Sequence, residues 1–211
     1  REEHGDWRAM WGLWTAAPVR VIGEGYQIPG AGRIDAQNVE QLARSFISTF
    51  EHLLKTKDMD LELVDAHPYL DKWTVSFRQM HRGVPVELSE VTMRMTSGGR
   101  VFLFGSDVFP GISVSTVPMI PEQDAAVLAM SGLPPPPGAA IEVSAGRLAV
   151  LPIRSVSGLS TPLAWHFLVR EDDEHIWDTW VDASSGAILW RRNTVCQGIS
   201  GTVQASVKTS S

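Results

Sequence analysis

The sequence predicts an α+β chain built from two successive helix-plus-antiparallel-sheet subdomains behind an N-terminal tryptophan-rich arm. Three observations predict it. Val39, Leu42, Phe46, Ile47, Phe50, Leu53 and Leu54 recur at helical spacing and mark one amphipathic helix. Alternating apolar and polar residues from Leu61 to Gly105 mark half-buried strands behind that helix. The same order then returns, with a helix signal over Ala125 to Met130 and strand-like segments up to Trp190.

The arm comes first. Trp7, Trp11 and Trp14 stand at helical spacing ahead of an irregular Pro- and Gly-containing stretch, and the arm is expected to wrap the domain that follows. Three tryptophans need a partner surface, either the domain's own sheet or another molecule. Asp35 or Asn38 is placed to cap the first helix, which the pattern carries to near Lys57. In the meander, Val75, Phe77 and Gln79 alternate with Thr74, Ser76 and Arg78, and Gly83 supplies a turn into Val84, Val86 and Leu88. Val91, Met93 and Met95 form the next inward row, and Gly98-Gly99 permits the turn into Val101 to Phe104.

Phe109-Pro110-Gly111 and Val117 to Pro121 interrupt this pattern and place a domain boundary. The division is an arm over 1–34, a first domain over 35–110, a linker over 111–120, a second domain over 121–193 and a tail or further domain from 194 to 211. Pro121 and the acidic residues after it open the second helix, and the run Pro134 to Pro137 follows its end. Strands are expected at Ile141 to Val143, Arg147 to Ile153, Leu163 to Arg170, Ile176 to Asp182 and Ala187 to Trp190. A four-residue loop between Arg170 and His175 would set Trp165 opposite Trp180, on the face of Phe167 and Ile176, with His166, Leu168, Trp177 and Thr179 on the other.

Two segments carry a family resemblance. Phe77-Arg78-Gln79, then Gly83-Val84-Pro85-Val86, then Ser89 to Met95 and the Gly98-Gly99 turn resemble the fungalysin/thermolysin-type propeptide domain. Leu163 to Val169, with Trp165, and Trp180-Val181-Asp182 through Gly186 to Leu189 resemble the PepSY domain, which follows that propeptide domain in precursors of secreted zinc metalloproteases. The resemblance covers most of Asp35 to Arg192 and implies cystatin-like subdomains. It also implies a non-catalytic prodomain that assists folding of a linked catalytic domain and keeps it latent by covering its cleft. The implied partner is that cognate metalloprotease domain in cis, and the implied location is secreted or periplasmic.

The chemistry of the residues points the same way. The 211 residues are 44% hydrophobic, enough for one large core or two small ones, and carry a formal charge of −6 with scattered Lys and Arg. Neither a nucleic-acid face nor membrane insertion is expected from that pattern. Arg1 to Asp6 has no apolar signal segment. No His-Glu-x-x-His, Gly-x-Ser-x-Gly or phosphate-binding glycine loop occurs, so no catalytic residue and no cofactor are expected. Asp178 or Asp182 could serve as a lone general base only if a pocket formed around it. His166 and His175 are the one pair near enough for a shared metal, and their alternating faces argue against it. Glu171 to Glu174 lacks the ligand spacing of a calcium loop.

The single Cys196 sits beyond the last PepSY-like strand. It is a candidate zinc ligand in a latent precursor, a disulfide partner for a further domain, or an inert thiol. Arg191-Arg192 marks a candidate processing region, or merely solubilises a strand end. The stretch Ile199 to Val207 reads as a further strand. A stand-alone PepSY-type module that inhibits peptidases or holds peptides in trans is the alternative to the prodomain.

Overall fold

The computed structural model describes residues 6–134, 140–156 and 158–195. Cys196 and the strand expected over Ile199 to Val207 lie outside them.

The first unit runs β1 (Trp7–Trp11), β2 (Pro18–Gln27), α1 (Val39–Thr49), α2 (Glu51–Leu54), β3 (Asp60–Tyr69), β4 (Lys72–His81), β5 (Val84–Pro85), β6 (Glu90–Thr96) and β7 (Arg100–Asp107). Its sheet has the order β1-β2-β7-β6-β4-β3, with β5 folded back on β4. Helix α1 turns Val39, Ala43, Phe46 and Ile47 inward onto Val75, Phe77, Val91, Met93 and Met95. The expected alternation holds for those five sheet residues, each of them buried, but not for the row expected through Val84, Val86 and Leu88: β5 ends at Pro85, and Leu88, turned into the left-handed region (φ +59°), is exposed.

Asp35 starts the helix: its Oδ1 accepts the backbone N–H groups of Gln37 and Asn38, and Asn38 Oδ1 accepts from Asp35 N–H. The single helix expected to reach Lys57 breaks at Phe50 (φ −111°), and its second turn closes at Lys55 in the left-handed region (φ +59°). Ser106 Oγ donates to Leu54 O at 2.7 Å, tying that end to β7.

The arm is a two-stranded ribbon that completes the sheet, and the helical spacing of its tryptophans is corrected to strand. A spacing of four puts Trp7 and Trp11 on one face in either geometry, since four residues make two strand repeats as readily as one helical turn. Trp7 packs edge-on against Phe104 at 5.5 Å, whereas Trp11 and Trp14 stay largely exposed. Gly105 lets the ribbon approach: a Cβ there would lie 2.1 Å from Val19 O.

The second unit runs α3 (Glu122–Met130), β8 (Glu142–Val143), β9 (Arg147–Val150), β10 (Ile153–Ser155), β11 (Gly158–Ser160), β12 (Leu163–Arg170), β13 (Ile176–Asp182) and β14 (Ile188–Asn193). The sheet order is β14-β13-β12-β8, β9 also pairs with β12, and β10 with β11 makes a separate small hairpin. Helix α3 lays Ala125 and Ala129 on Phe167, Val169 and Val181.

The β12–β13 register differs by one residue from the expected one. Arg170 pairs with Ile176 across a five-residue loop, so Trp165 faces Val181 and His166 faces Trp180. Asp172 Oδ1 accepts the N–H groups of Glu174 and His175, and that side-chain turn makes room for the extra residue. A one-residue slip exchanges faces. Trp165 and Phe167 thus join Thr179 and Trp177 under α3, and Trp180 moves to the opposite face with His166.

The two units meet at a packed joint of Val86, Phe109, Val150, Leu163 and Ala183, with Ile112 and Val114 of the linker against it. Val86 bridges Val150 in parallel, and Glu87 N–H donates to Val150 O at 2.9 Å. The linker is fixed at its far end too, where Met119 and Ile120 both donate to Ala183 O.

Candidate functional site

The segment Phe77 to Ser89 shapes the joint. Phe77 is a fully buried core ring, and Arg78 stands opposite Glu62 on the outer face. Gln79, 4% exposed, clasps Phe109 with both ends of its amide: Nε2 donates to Phe109 O at 3.0 Å, and Oε1 accepts Phe109 N–H at 2.8 Å. Arg82 (φ +50°) and Gly83 (φ +82°) form the tight turn between His81 and Val84, the conformation of a type I′ hairpin. That turn sends Val84 and Pro85 back along β4 and delivers Val86 to Val150. Ser89 Oγ seals the bend, accepting from Gln79 N–H and donating to Val86 O.

The PepSY-like residues lie apart from these. Trp165 is half-buried, and its Nε1 donates to Ile120 O at 2.9 Å. Asp182 serves a turn: burial opposes its ionisation, but bonds from the Ser184 hydroxyl and the N–H groups of Ser184 and Ser185 outweigh that and hold its carboxyl below the usual range. Gly186 (φ +77°) completes the turn, against Leu128 and Ile120.

On the second sheet no helix among the described residues covers the face opposite α3, and a cross-strand row runs over it. Arg147 of β9 lies opposite His166 of β12, His166 opposite Trp180 of β13, and Trp180 opposite Trp190 of β14. The His166 ring stacks on Trp180 at 4.2 Å and 20°. Both its nitrogens are engaged: Nε2 contacts Asp178 Oδ1, and Nδ1 lies 3.4 Å from the Arg147 guanidinium, a donor. With Nε2 carrying the proton, both contacts are satisfied at once. Arg147 also donates to Glu87 at 2.6 Å, and Arg192 reaches Asp178 at 3.4 Å while lying over Trp190. Trp180 Nε1 is buried without a partner.

This row was out of reach of the sequence, because the register set Trp180 on the other face. Asp178 was legible as a candidate base, but its pairing with His166 follows from the register alone. The row brings together an oriented imidazole, two part-exposed guanidinium groups, a part-exposed Trp190 and a Trp180 that is only 3% exposed. No group of three His, Cys, Asp or Glu able to hold a metal occurs among the described residues. His166 and His175 bond to different carboxylates, Asp178 and Asp172.

Strand β14 is the terminal strand of its sheet and carries the candidate processing pair. Arg191 points to the α3 side, donating to Ala129 O at 2.5 Å, Ser131 O at 3.0 Å and Thr179 Oγ1 at 3.3 Å, and burial lowers its pKa. Arg191 and Arg192 pair with Thr179 and Asp178, so scission between them requires β14 to leave the sheet.

No protein-family model matches the chain, and no curated protein matches it. Among solved structures, the Bacillus megaterium YpeB C-terminal domain is similar at 16% identity and a TM-score of 0.39, over 83% of this chain and 71% of that one. A protein of Clostridium difficile 630 described as a lipoprotein is similar at 15% identity and a TM-score of 0.27, over 71% of this chain and 91% of that one. No helix among the described residues is long and apolar enough to cross a membrane.

Proposed function

We propose that this chain is the non-catalytic prodomain of a secreted or periplasmic zinc metalloprotease precursor, an intramolecular chaperone and latency inhibitor that covers the catalytic cleft in cis. The observation that carries the reading is the use made of the resembling motif. Of the residues that mark it, Gln79 seats Phe109 in the joint and Val86 bridges Val150 of the second unit, so the motif shapes the contact between the two units. A covalently tied segment acts at high effective concentration, so a modest interface suffices for latency, and scission turns inhibition into dissociation. The chain leaving β14 is the natural occupant of a protease cleft, which accepts extended backbone.

The test is inhibition of the cognate metalloprotease by the purified chain over a concentration series. Saturable inhibition, weakened when the chain is cut after Arg192, supports the proposal. Absence of inhibition overturns it. In the precursor, unchanged latency of Cys196→Ala removes the thiol from the mechanism.

A second reading, a stand-alone PepSY-type module acting in trans, is favoured by the row from Arg147 to Trp190, in which Arg147, Arg192 and Trp190 reach the surface around a buried Trp180. The longer reading frame separates the two, since a downstream His-Glu-x-x-His belongs to a precursor.

A further inference from the structure

An unexplained surface lies along strand β1. Among the described residues, strand β1 ends the strand order of the first sheet. Edge strands template pairing unless charge, proline or irregularity blunts them. At the opposite edge, β3 carries Asp60, Glu62, Asp65, Pro68 and a register shift between Leu63 and Asp65, and in the second sheet β14 carries Arg191 and Arg192. Strand β1 reads Trp-Arg-Ala-Met-Trp, with one charge, and its register with β2 shifts only at its last residue.

Beside it lies a groove of about 290 Å³ lined wholly by apolar and aromatic residues, with Trp7, Ala9 and Trp11 on one wall and Tyr26, Phe50 and Leu53 among those opposite. On its wall Trp11 is 57% exposed, and in the chain just past β1 Leu13 is 96% and Trp14 46% exposed, while Met10, on the other face of β1, is 62% exposed. Trp11, Leu13, Trp14 and Leu53 present apolar area on the order of 300–400 Å². A standard interface takes roughly 800 Å² from each partner, a little over half of it apolar, so the patch supplies most of the apolar part of one side of such an interface.

We propose that a second copy of this chain occupies this surface, the two β1 strands pairing antiparallel about a two-fold axis at Ala9. Strand β1 itself meets both demands of the site, an extended backbone for the edge and an apolar row for the groove. Its charge selects the register. Pairing centred on Arg8 would oppose two guanidinium groups, and like charges directly opposite destabilise a sheet. Pairing centred on Ala9 engages all five residues, sets Arg8 opposite Met10, and sets Trp7 opposite Trp11 twice on the groove side. The contact is isologous and closes as a dimer.

Sedimentation velocity on the chain over a concentration series, with Trp11→Glu and Leu13→Glu beside it, tests the proposal. A dimer at about 10 μM or below for the parent chain, with both variants monomeric and unchanged in circular dichroism and melting, is expected. In a Cys196→Ala background, Ala9→Cys forms an intermolecular disulfide under mild oxidation and Arg8→Cys does not, because only position 9 meets itself. A parent chain monomeric throughout overturns the proposal, whether the edge is then idle or takes a strand of another protein. So does a dimer that survives both glutamates, or one in which Arg8→Cys cross-links in preference to Ala9→Cys.

Discussion

Replacing Gln79 by leucine isolates the clasp that seats Phe109 in the joint between the two units. Leucine keeps most of the side-chain volume in a site that is 4% exposed, so the cavity term is small and the loss is of hydrogen bonds. Two bonds disappear together, from Gln79 Nε2 to Phe109 O and from Phe109 N–H to Gln79 Oε1, and Phe109 is fully buried. Each orphaned buried backbone group costs about 1–3 kcal/mol, so the pair should cost about 2–6 kcal/mol. In urea, with a slope of about 2–3 kcal/mol per molar, that lowers the unfolding midpoint by roughly 1–3 M. Tryptophan fluorescence reads the transition, and because the eight tryptophans lie in both units it also shows whether a weakened joint splits one transition into two. Gln79→Glu should also destabilise, because a carboxylate accepts Phe109 N–H but cannot donate to Phe109 O. A Gln79→Leu midpoint indistinguishable from the parent, a change under about 0.5 kcal/mol, would refute the assignment of the clasp as the joint's main polar tie.

Arg191→Ala frees the Ala129 and Ser131 carbonyls at the end of α3 and should raise amide exchange in β14 and α3 together, with a stability loss of about 1–3 kcal/mol. Gly105→Ala should displace β2 from β7, since its Cβ would stand 2.1 Å from Val19 O; a melting temperature within a degree or so of the parent, against the several degrees expected, counts against that close approach. The β12–β13 tip should titrate in two senses. The Asp172 carboxylate raises the His175 pKa above its ordinary 6.5, so the contribution of that bond is full below 6.5 and fades as pH rises through the higher folded value. The same bond, ahead of burial, which opposes it, and of the Glu174 and His175 N–H groups, lowers Asp172 below 3.8, so its contribution is present above 3.8 and fades as pH falls through the lower folded value. Proton NMR of the imidazole should show Asp172→Asn returning His175 toward 6.5; an unmoved titration would sink the pairing.

What the sequence disclosed tracks the range of the interactions involved. The bounds of β12 and β13 were readable to the residue, because alternation and flanking turns are local. The inward row Val91, Met93 and Met95 was readable for the same reason. The tryptophan spacing of the arm was ambiguous in principle, four residues satisfying both periods, and only pairing with β2 resolves it. The register of the β12–β13 hairpin turned on one aspartate side chain folding back on its own loop, and with it went the composition of the face opposite α3. The clasp of Gln79 on Phe109 spans 30 positions, and nothing in the neighbourhood of either residue announces the other. The motif containing Gln79 was legible, and its purpose was not.

The Val86–Val150 bridge bears on how the molecule comes to be assembled. Every strand of the first sheet, and the Gln79–Phe109 clasp, lies within the first 109 residues, so the seat for β9 is finished before Val150 leaves the ribosome. Synthesis at about 5–20 residues per second gives that half at least two seconds or so of lead, ample for a small domain. The later half then docks its β9 on a surface already in shape. Vectorial synthesis thus converts this contact between the two units into a late, templated step, and a chain refolded from denaturant, with no such lead, should reach the native state more slowly than one released from the ribosome.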